Sequence, residues 1–258
     1  HDVPLIETRI RLSIQNGDWK GIQKWIAILD DQQQQSLRWQ YWLGRSELAL
    51  GSQALGKQRL AKLIGQRNFY SVAAAEALGK PVVYSSSTTK LDKKVILPYQ
   101  KSVDRVQELI KTDKIAAAKS EWRHLLSRVD SKEKAMLAAY AASKHWHHFT
   151  VVASIEAKMW DSIPIRFPIA HRWWFDFYAQ KHNINPLTMM ALARQESALD
   201  SEANSPVGAR GLMQIMPKTA QYTARKYKLD YKGTHDLNNV SKNIEIGSYY
   251  LQGLILID

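Results

Sequence analysis

Apolar residues recur at helical spacing along almost the whole of this 258-residue chain. Strand-like patterning is confined to Val82-Val83-Tyr84, so the fold has to be built by packing helices on helices. Tyr99, Val103, Val106 and Ile110 follow i, i+4, i+7 and i+11. Ile115, Ala118, Trp122, Leu125, Leu126 and Val129 carry the same periodicity onto a second helix. Each set lines one face, and that face must be covered. Ser131 reads as the cap of an Ala-rich third segment running to Ala142. Nearer the start, Trp39, Trp42, Leu43 and Leu50 make one apolar face and Leu60, Leu63 and Ile64 another. Of the nine tryptophans, seven precede residue 170, where they read as anchors between helices. The expected fold class is all-α.

Two stretches interrupt the pattern. Ser85-Ser86-Ser87-Thr88-Thr89 has the composition of a flexible linker. In Ile163-Pro164-Ile165-Arg166-Phe167-Pro168, two prolines limit helix continuation. They divide the chain into 1–84, 85–168 and 169–258. The first two blocks read as helix-pair arrays of the superhelical kind, without a clean repeat period.

No run of about 18 apolar residues occurs, so no membrane-spanning helix is expected. The opening His1-Asp2-Val3-Pro4 lacks the apolar centre of a secretory signal and reads as a mature start. Absence of cysteine excludes disulfides and cysteine catalysis. The net charge of +12 is uneven: residues 171–258 hold 10 Lys/Arg against 8 Asp/Glu, whereas residues 1–170 hold 26 against 16. A basic surface attracts a long anionic polymer, and it equally fits the solvated face of a lysine-rich helical protein.

The chemistry concentrates late in the chain. Asn185-Pro186 is a helix start, since Asn caps and Pro at the first helical position loses no needed donor. Met189, Leu192, Ala193 and Glu196 then fall on one stripe, and Leu187, Met190 and Ala191 on another that is also apolar. That pattern predicts a buried helix with a carboxylate near its C-terminal end. Burial and the negative end of the helix dipole both favour the neutral acid, which suits a general acid. A second carboxylate, Asp200 in Leu199-Asp200-Ser201-Glu202, follows one helical turn later and reads as an exposed loop residue. His145, His147 and His148 cluster, but no carboxylate stands at ligand spacing, so they read as solvated or stacked rings.

Around Glu196 the order is Arg194-Gln195-Glu196-Ser197, then Ser205-Pro206-Val207-Gly208-Ala209, then Gly211-Leu212-Met213-Gln214-Ile215-Met216-Pro217. This resembles the catalytic domain of the soluble lytic transglycosylases, lysozyme-like enzymes acting on bacterial peptidoglycan. The Glu-Ser pair and the Gly-Leu-Met-Gln-Ile-Met-Pro run match the first two signatures of that family. The resemblance implies the end of an α-superhelical domain at 1–84, a helical linker domain at 85–168 and a lysozyme-like domain at 169–258. It implies Glu196 as catalytic residue, acid then base, in cleavage of the β-1,4 bond between N-acetylmuramic acid and N-acetylglucosamine with 1,6-anhydromuramyl ends. It makes Ser205, Gln214, Met216 and Met213 substrate-binding candidates, with Ser205 orienting Glu196. Matching the motif favours Met216 over Met213 as the cleft-facing methionine. No metal or organic cofactor is implied. The expected location is the periplasm, and the expected partners are peptidoglycan strands and cell-wall synthesis or remodelling proteins, not nucleic acid. A non-catalytic helical scaffold binding peptidoglycan or protein is the alternative.

Two departures stand out. The third signature, an Ala-Ala-Tyr-Asn-Ala-Gly run, is absent from these 258 residues. The domain is therefore expected to be incomplete and poorly active, with Ile244, Tyr250, Leu251 and Leu254 short of packing partners. Asn239-Val240 stands where relatives usually carry Asp-Pro, which is expected to alter only a turn.

Overall fold

The structure is a computed structural model that describes residues 2–256. It is all-α, and the chain separates into two compact units, His1–Ser85 and Ser86–Asp258. Among the described residues, no helix is long and apolar enough to cross a membrane.

The first unit holds α1 (Val3–Gln15), α2 (Trp19–Ile26), α3 (Asp31–Gln34), α4 (Leu37–Ala49), α5 (Gln53–Ala61) and α6 (Phe69–Ala77). Asp2, Asp18 and Asp30 each accept a backbone N–H from the first turn of the helix they precede, which is why α1, α2 and α3 start where they do. Ile6, Ile10, Ile22, Ile26 and Trp39 form one small core, and Tyr41, Leu60, Leu63 and Ala74 a second. Arg59 locks α5 to α4. It donates from Nε and Nη2 to the buried carboxylate of Glu47 and from Nη1 to Gln40, so both partners of a costly pair are satisfied. Leu50 lies just past α4 and is exposed rather than part of an apolar face.

Val82-Val83-Tyr84 is not a strand. It runs as exposed, irregular chain, because β-branched residues need a partner edge and none is offered here.

The second unit begins with α7 (Lys93–Ile96), α8 (Gln100–Lys111), α9 (Ile115–Ser127), α10 (Ser131–Ser143), α11 (His147–Glu156) and α12 (Ile163–Arg166). These pack as successive pairs, α8 with α9 and α10 with α11. Val103, Val106, Ala118, Leu125, Leu126 and Leu137 fill the core around Trp122, whose indole N–H donates to the Phe149 carbonyl at 3.1 Å. The cap of α10 is Asp130, not Ser131. Asp130 accepts from Glu133 N–H while the Glu133 carboxylate accepts from Asp130 N–H, a reciprocal pair that a serine at the first helical position does not make. Helix α12 stops after four residues, where the second proline follows.

The rest of this unit is α13 (Arg172–His182), α14 (Pro186–Ser197), α15 (Pro217–Tyr227) and α16 (Val240–Ile255). Helix α13 packs on α14 and α16, and α15 packs on α16. Phe175, Met189, Ala193, Leu212, Ile215, Leu237, Ile244 and Ile246 make their shared core, and Val151 of α11 belongs to it too. Asn239 caps α16 by accepting from Lys242 N–H at 3.1 Å. Ile244, expected to be short of partners, is fully buried, while Tyr250 and Leu254 are exposed.

Candidate active site

Helix α14 starts as its sequence dictates: the Asn185 side chain accepts from Leu187 N–H at 2.8 Å and Pro186 occupies the first position. Its burial differs from expectation. Met189, Met190 and Ala193 are buried, whereas Leu187, Ala191, Gln195 and Glu196 are exposed. Each stripe is only partly covered, Met190 being buried where Leu187 and Ala191 are not and Met189 and Ala193 being buried where Glu196 is not, so the helix is half-buried and Glu196 faces solvent. Among the described residues, that carboxylate makes no side-chain hydrogen bond or ion pair.

Past Ser197 the chain leaves the helix through two left-handed residues, Ala198 with φ +51° and Leu199 with φ +63°. Neither type favours that region, so the turn must be held from outside. Leu199 is buried in the core. Asp200, expected to be exposed, is 8 % exposed. Its Oδ2 lies 2.6 Å from Lys119 Nζ of α9 and its Oδ1 accepts from Glu202 N–H. The reason is tertiary: a cation 81 residues earlier in the sequence reaches it. Burial, then the charges of Asp200 and Asp113, push the Glu202 carboxyl above its ordinary value.

Residues 203–216 form a folded-back loop against this helix end. Arg210 makes isolated antiparallel bridges to Asn204 and to Ile215, so three backbone runs lie side by side. Ser197 Oγ lies 2.9 Å from the Ala193 carbonyl and 2.8 Å from the Leu212 carbonyl, tying α14 to the loop. From the other side, buried Asn243 of α16 accepts from Met213 N–H at 2.8 Å and donates to the carbonyls of Arg210 and Leu237 at 3.0 and 2.8 Å. Gly211 is required at the centre. Its φ is +72°, and a Cβ there would run into the Leu237 carbonyl oxygen and the Asn243 amide.

The loop candidates take different places. Gln214, also left-handed at φ +47°, donates from Nε2 to the carbonyls of Ala203 and Gly211, and its Oε1 accepts no hydrogen bond from the described residues. Met216 is 39 % exposed at the start of α15. Met213 is buried in the core instead, its sulfur beside Gly247 of α16 where a Cβ would collide with it. Ser205 closes its own turn, its Oγ accepting from Ala209 N–H at 2.9 Å, and no hydrogen bond joins it to Glu196. The structure therefore brings Glu196, Gln214 and Met216 onto one helix-and-loop assembly through Ser197.

Ser197 and Asn243 were not singled out as site residues from the sequence. Asn243 carried a signal, since it is an amide on the apolar face that Ile244 and Gly247 also line. The histidines divide. His145, His147 and His171 pack ring against ring, with centroids 6.2 Å and 5.6 Å apart across successive pairs, while His148 Nδ1 lies 3.1 Å from the Ala198 carbonyl.

Residues 96–163 match the soluble lytic murein transglycosylase L domain, and residues 174–256 match the transglycosylase SLT domain. The chain belongs to the soluble lytic transglycosylase family. Soluble lytic murein transglycosylase of Salmonella typhimurium is 37% identical over 249 residues, covering 96% of this chain and 39% of that protein. The crystal structure of the 70 kDa soluble lytic transglycosylase from Escherichia coli superposes with a TM-score of 0.94 at 34% identity, over 99% of this chain and 42% of that one. An inactive Glu-to-Gln mutant of lytic transglycosylase Slt from Pseudomonas aeruginosa gives a TM-score of 0.86 at 31% identity, over 98% of this chain and 42% of that one. The chain thus spans about two fifths of the length of these soluble lytic transglycosylases. Its all-α architecture is that of the family.

Proposed function

We propose that this chain carries catalytic machinery of a lytic murein transglycosylase, cleaving the β-1,4 bond between N-acetylmuramic acid and N-acetylglucosamine and leaving a 1,6-anhydromuramyl end. The observation that carries the reading is Glu196. It is a solvent-facing carboxylate without a side-chain hydrogen bond or ion pair among the described residues, at a helix end bound to the Gln214 loop. The names of the relatives support it, as does the inactivity of a relative in which Glu is replaced by Gln.

In this reading Glu196 acts twice. As an acid it gives its proton to the glycosidic oxygen, and the bond from C1 to that oxygen breaks, releasing N-acetylglucosamine as an alcohol. The muramyl acetamido oxygen stabilises C1 from the opposite face, so a second protein carboxylate is not required. As a base, Glu196 takes the proton of the C6 hydroxyl while O6 bonds to C1. The acid is regenerated and no water is consumed. The Oε1 of Gln214 suits an acetamido N–H or a sugar hydroxyl. Met216 offers soft apolar surface to a sugar face. Asp200 is engaged with Lys119 and takes no part. A murein substrate places the protein in the periplasm.

Mass spectrometry of muropeptides released from purified sacculi tests this. The parent chain releases anhydromuropeptides. Glu196→Gln lowers that release by about 1,000-fold or more while sacculus binding and thermal unfolding stay at parental values. A parent that binds sacculi and releases nothing overturns the reading in favour of a binding scaffold.

A further inference from the structure

Glu196 stands between attachments made by the helical block that precedes its domain. Two residues before it, Arg194 Nε donates to the Arg166 carbonyl at 2.6 Å and the guanidinium lies 4.3 Å from the centre of the Phe167 ring. Two residues after it, the Ala198 carbonyl meets His148 Nδ1 of α11 at 3.1 Å. A carbonyl has no hydrogen to give, so Nδ1 carries the proton and donates. Four residues after it, Asp200 is paired with Lys119 of α9 at 2.6 Å, their side chains only 11% and 16% exposed. Ala198 and Leu199, which these last two contacts bracket, hold left-handed conformations that side chains adopt only when their surroundings enforce them.

We propose that Lys119 and His148 are positioning residues for Glu196: they hold the left-handed turn behind it and so set the direction in which its carboxylate leaves α14. The proposal rests on the reading of Glu196 as the catalytic acid. It gives the block matching the L domain a part in the chemistry of the domain that follows. A near-buried ion pair is a poor source of net stability, because desolvation offsets much of its attraction, and an apolar pair of similar volume would join the two surfaces at least as strongly. What a hydrogen-bonded pair adds is direction. Direction matters here because small displacements of a reacting group cost large factors in rate. Next to Glu196, Ser197 ties the end of α14 to the Leu212 carbonyl, and the turn that follows is held by His148 and Lys119. Both anchors come from helices 48 or more residues upstream: His148 holds the Ala198 carbonyl and Lys119 the Asp200 side chain, and neither touches the Glu196 carboxylate.

The test uses the whole chain with both charges removed together, Lys119→Met with Asp200→Asn, so that no unpaired charge is left buried. Amide hydrogen exchange at Ala198, Leu199 and Asp200 is expected to quicken by about tenfold or more, with residues 189–193 unchanged. In the sacculus assay kcat is expected to fall by about 10- to 100-fold with KM moved by less than about twofold. Lys119→Arg, which keeps the charge, is expected to restore both readouts. Parental exchange at 198–200, or a raised KM with parental kcat, overturns the proposal. If the double variant loses its fold, His148→Leu removes one neutral donor and is read in the same way, with parental exchange and kcat again overturning it. A parent chain without turnover counts against the reading of Glu196, and exchange at 198–200 still decides whether Lys119 and His148 hold the turn.

Discussion

In the block from Lys93 to Arg166, α7 and α10 begin on the side-chain caps of Asp92 and Asp130, and the helices close over a core of aromatic and aliphatic side chains. In the segment from Ala198 to Met216, the backbone is fixed largely by groups from elsewhere: Lys119, His148, Ser197 and Asn243. The first region is held chiefly by its apolar interior, and it also extends Lys119 and His148 to the second. In the second, His148, Ser197 and Asn243 bond main-chain groups and Lys119 pairs with the Asp200 side chain, so its path is set by directed polar contacts. The difference teaches that the two regions do different physical work. One supplies cohesion, which is non-directional. The other supplies direction, and the loss of a single bond there misplaces a group as well as weakening the fold.

The largest effect that can break this comparison is on stability in the helical block. Trp122→Ala removes a side chain that is 1% exposed and stands edge-on to Trp146 and Phe149, together with its bond to the Phe149 carbonyl. A loss of about 3–5 kcal/mol is expected by chemical denaturation. A loss under about 1 kcal/mol would mean that the block is not held by its core.

Asn243→Leu comes next. It leaves Met213 N–H and the Arg210 and Leu237 carbonyls without their side-chain partner. About 2–3 kcal/mol is expected to be lost, with a larger proportional fall in muropeptide release than Trp122→Ala gives at matched stability. Equal falls at matched stability would erase the distinction between cohesion and direction.

These regions were also unequally legible in the sequence. Asn185-Pro186 named its helix start because capping is a local affair, and the periodicity through Trp122 and Leu125 named a buried face. Local patterns failed where tertiary contacts decide. The alternate apolar stripe of α14 read as buried, yet Leu187 and Ala191 face solvent with Glu196. Asp200 read as an exposed loop residue; it does lie in a loop, but it is buried because Lys119, which nothing nearby announces, reaches it. Ala198 and Leu199 carry no left-handed signal of their own. Val82-Val83-Tyr84 has strand composition and no partner. Met213 and Met216 belong to one motif whose match already favoured Met216 as the exposed one, and packing against Gly247 gives the physical reason that Met213 is buried. The site was legible as a motif; its scaffolding was not.

A smaller effect sharpens the claim of local closure. Asp130→Ala removes one half of the reciprocal cap of α10 and is expected to cost about 1 kcal/mol in thermal unfolding, with muropeptide release unchanged once the protein is folded. A fall in release out of proportion to that cost would show that cap geometry is transmitted to the loop.

The smallest expected effect lies where the helical block meets the domain that follows. Burial, and then the neighbouring His171 and His145, push His147 down from 6.5 to about 4. Burial also lowers His148 and His171. The folded protein therefore refuses a proton that the unfolded chain accepts near pH 6.5. Above that pH neither state binds it and the full stability is present. As pH falls from 6.5 towards 4 the unfolded state gains protons that the folded state does not, so stability declines across that window and the contribution of His147 levels off below it. Because His147 is only partly buried, solvent weakens the effect. His147→Asn cannot charge, so the fall in denaturation midpoint between pH 7 and pH 5 is expected to be shallower than in the parent, though not abolished, since His148 and His171 titrate with the same sign. An equal or steeper fall in the variant would mean that His147 takes up its proton in the folded state as readily as in the unfolded chain.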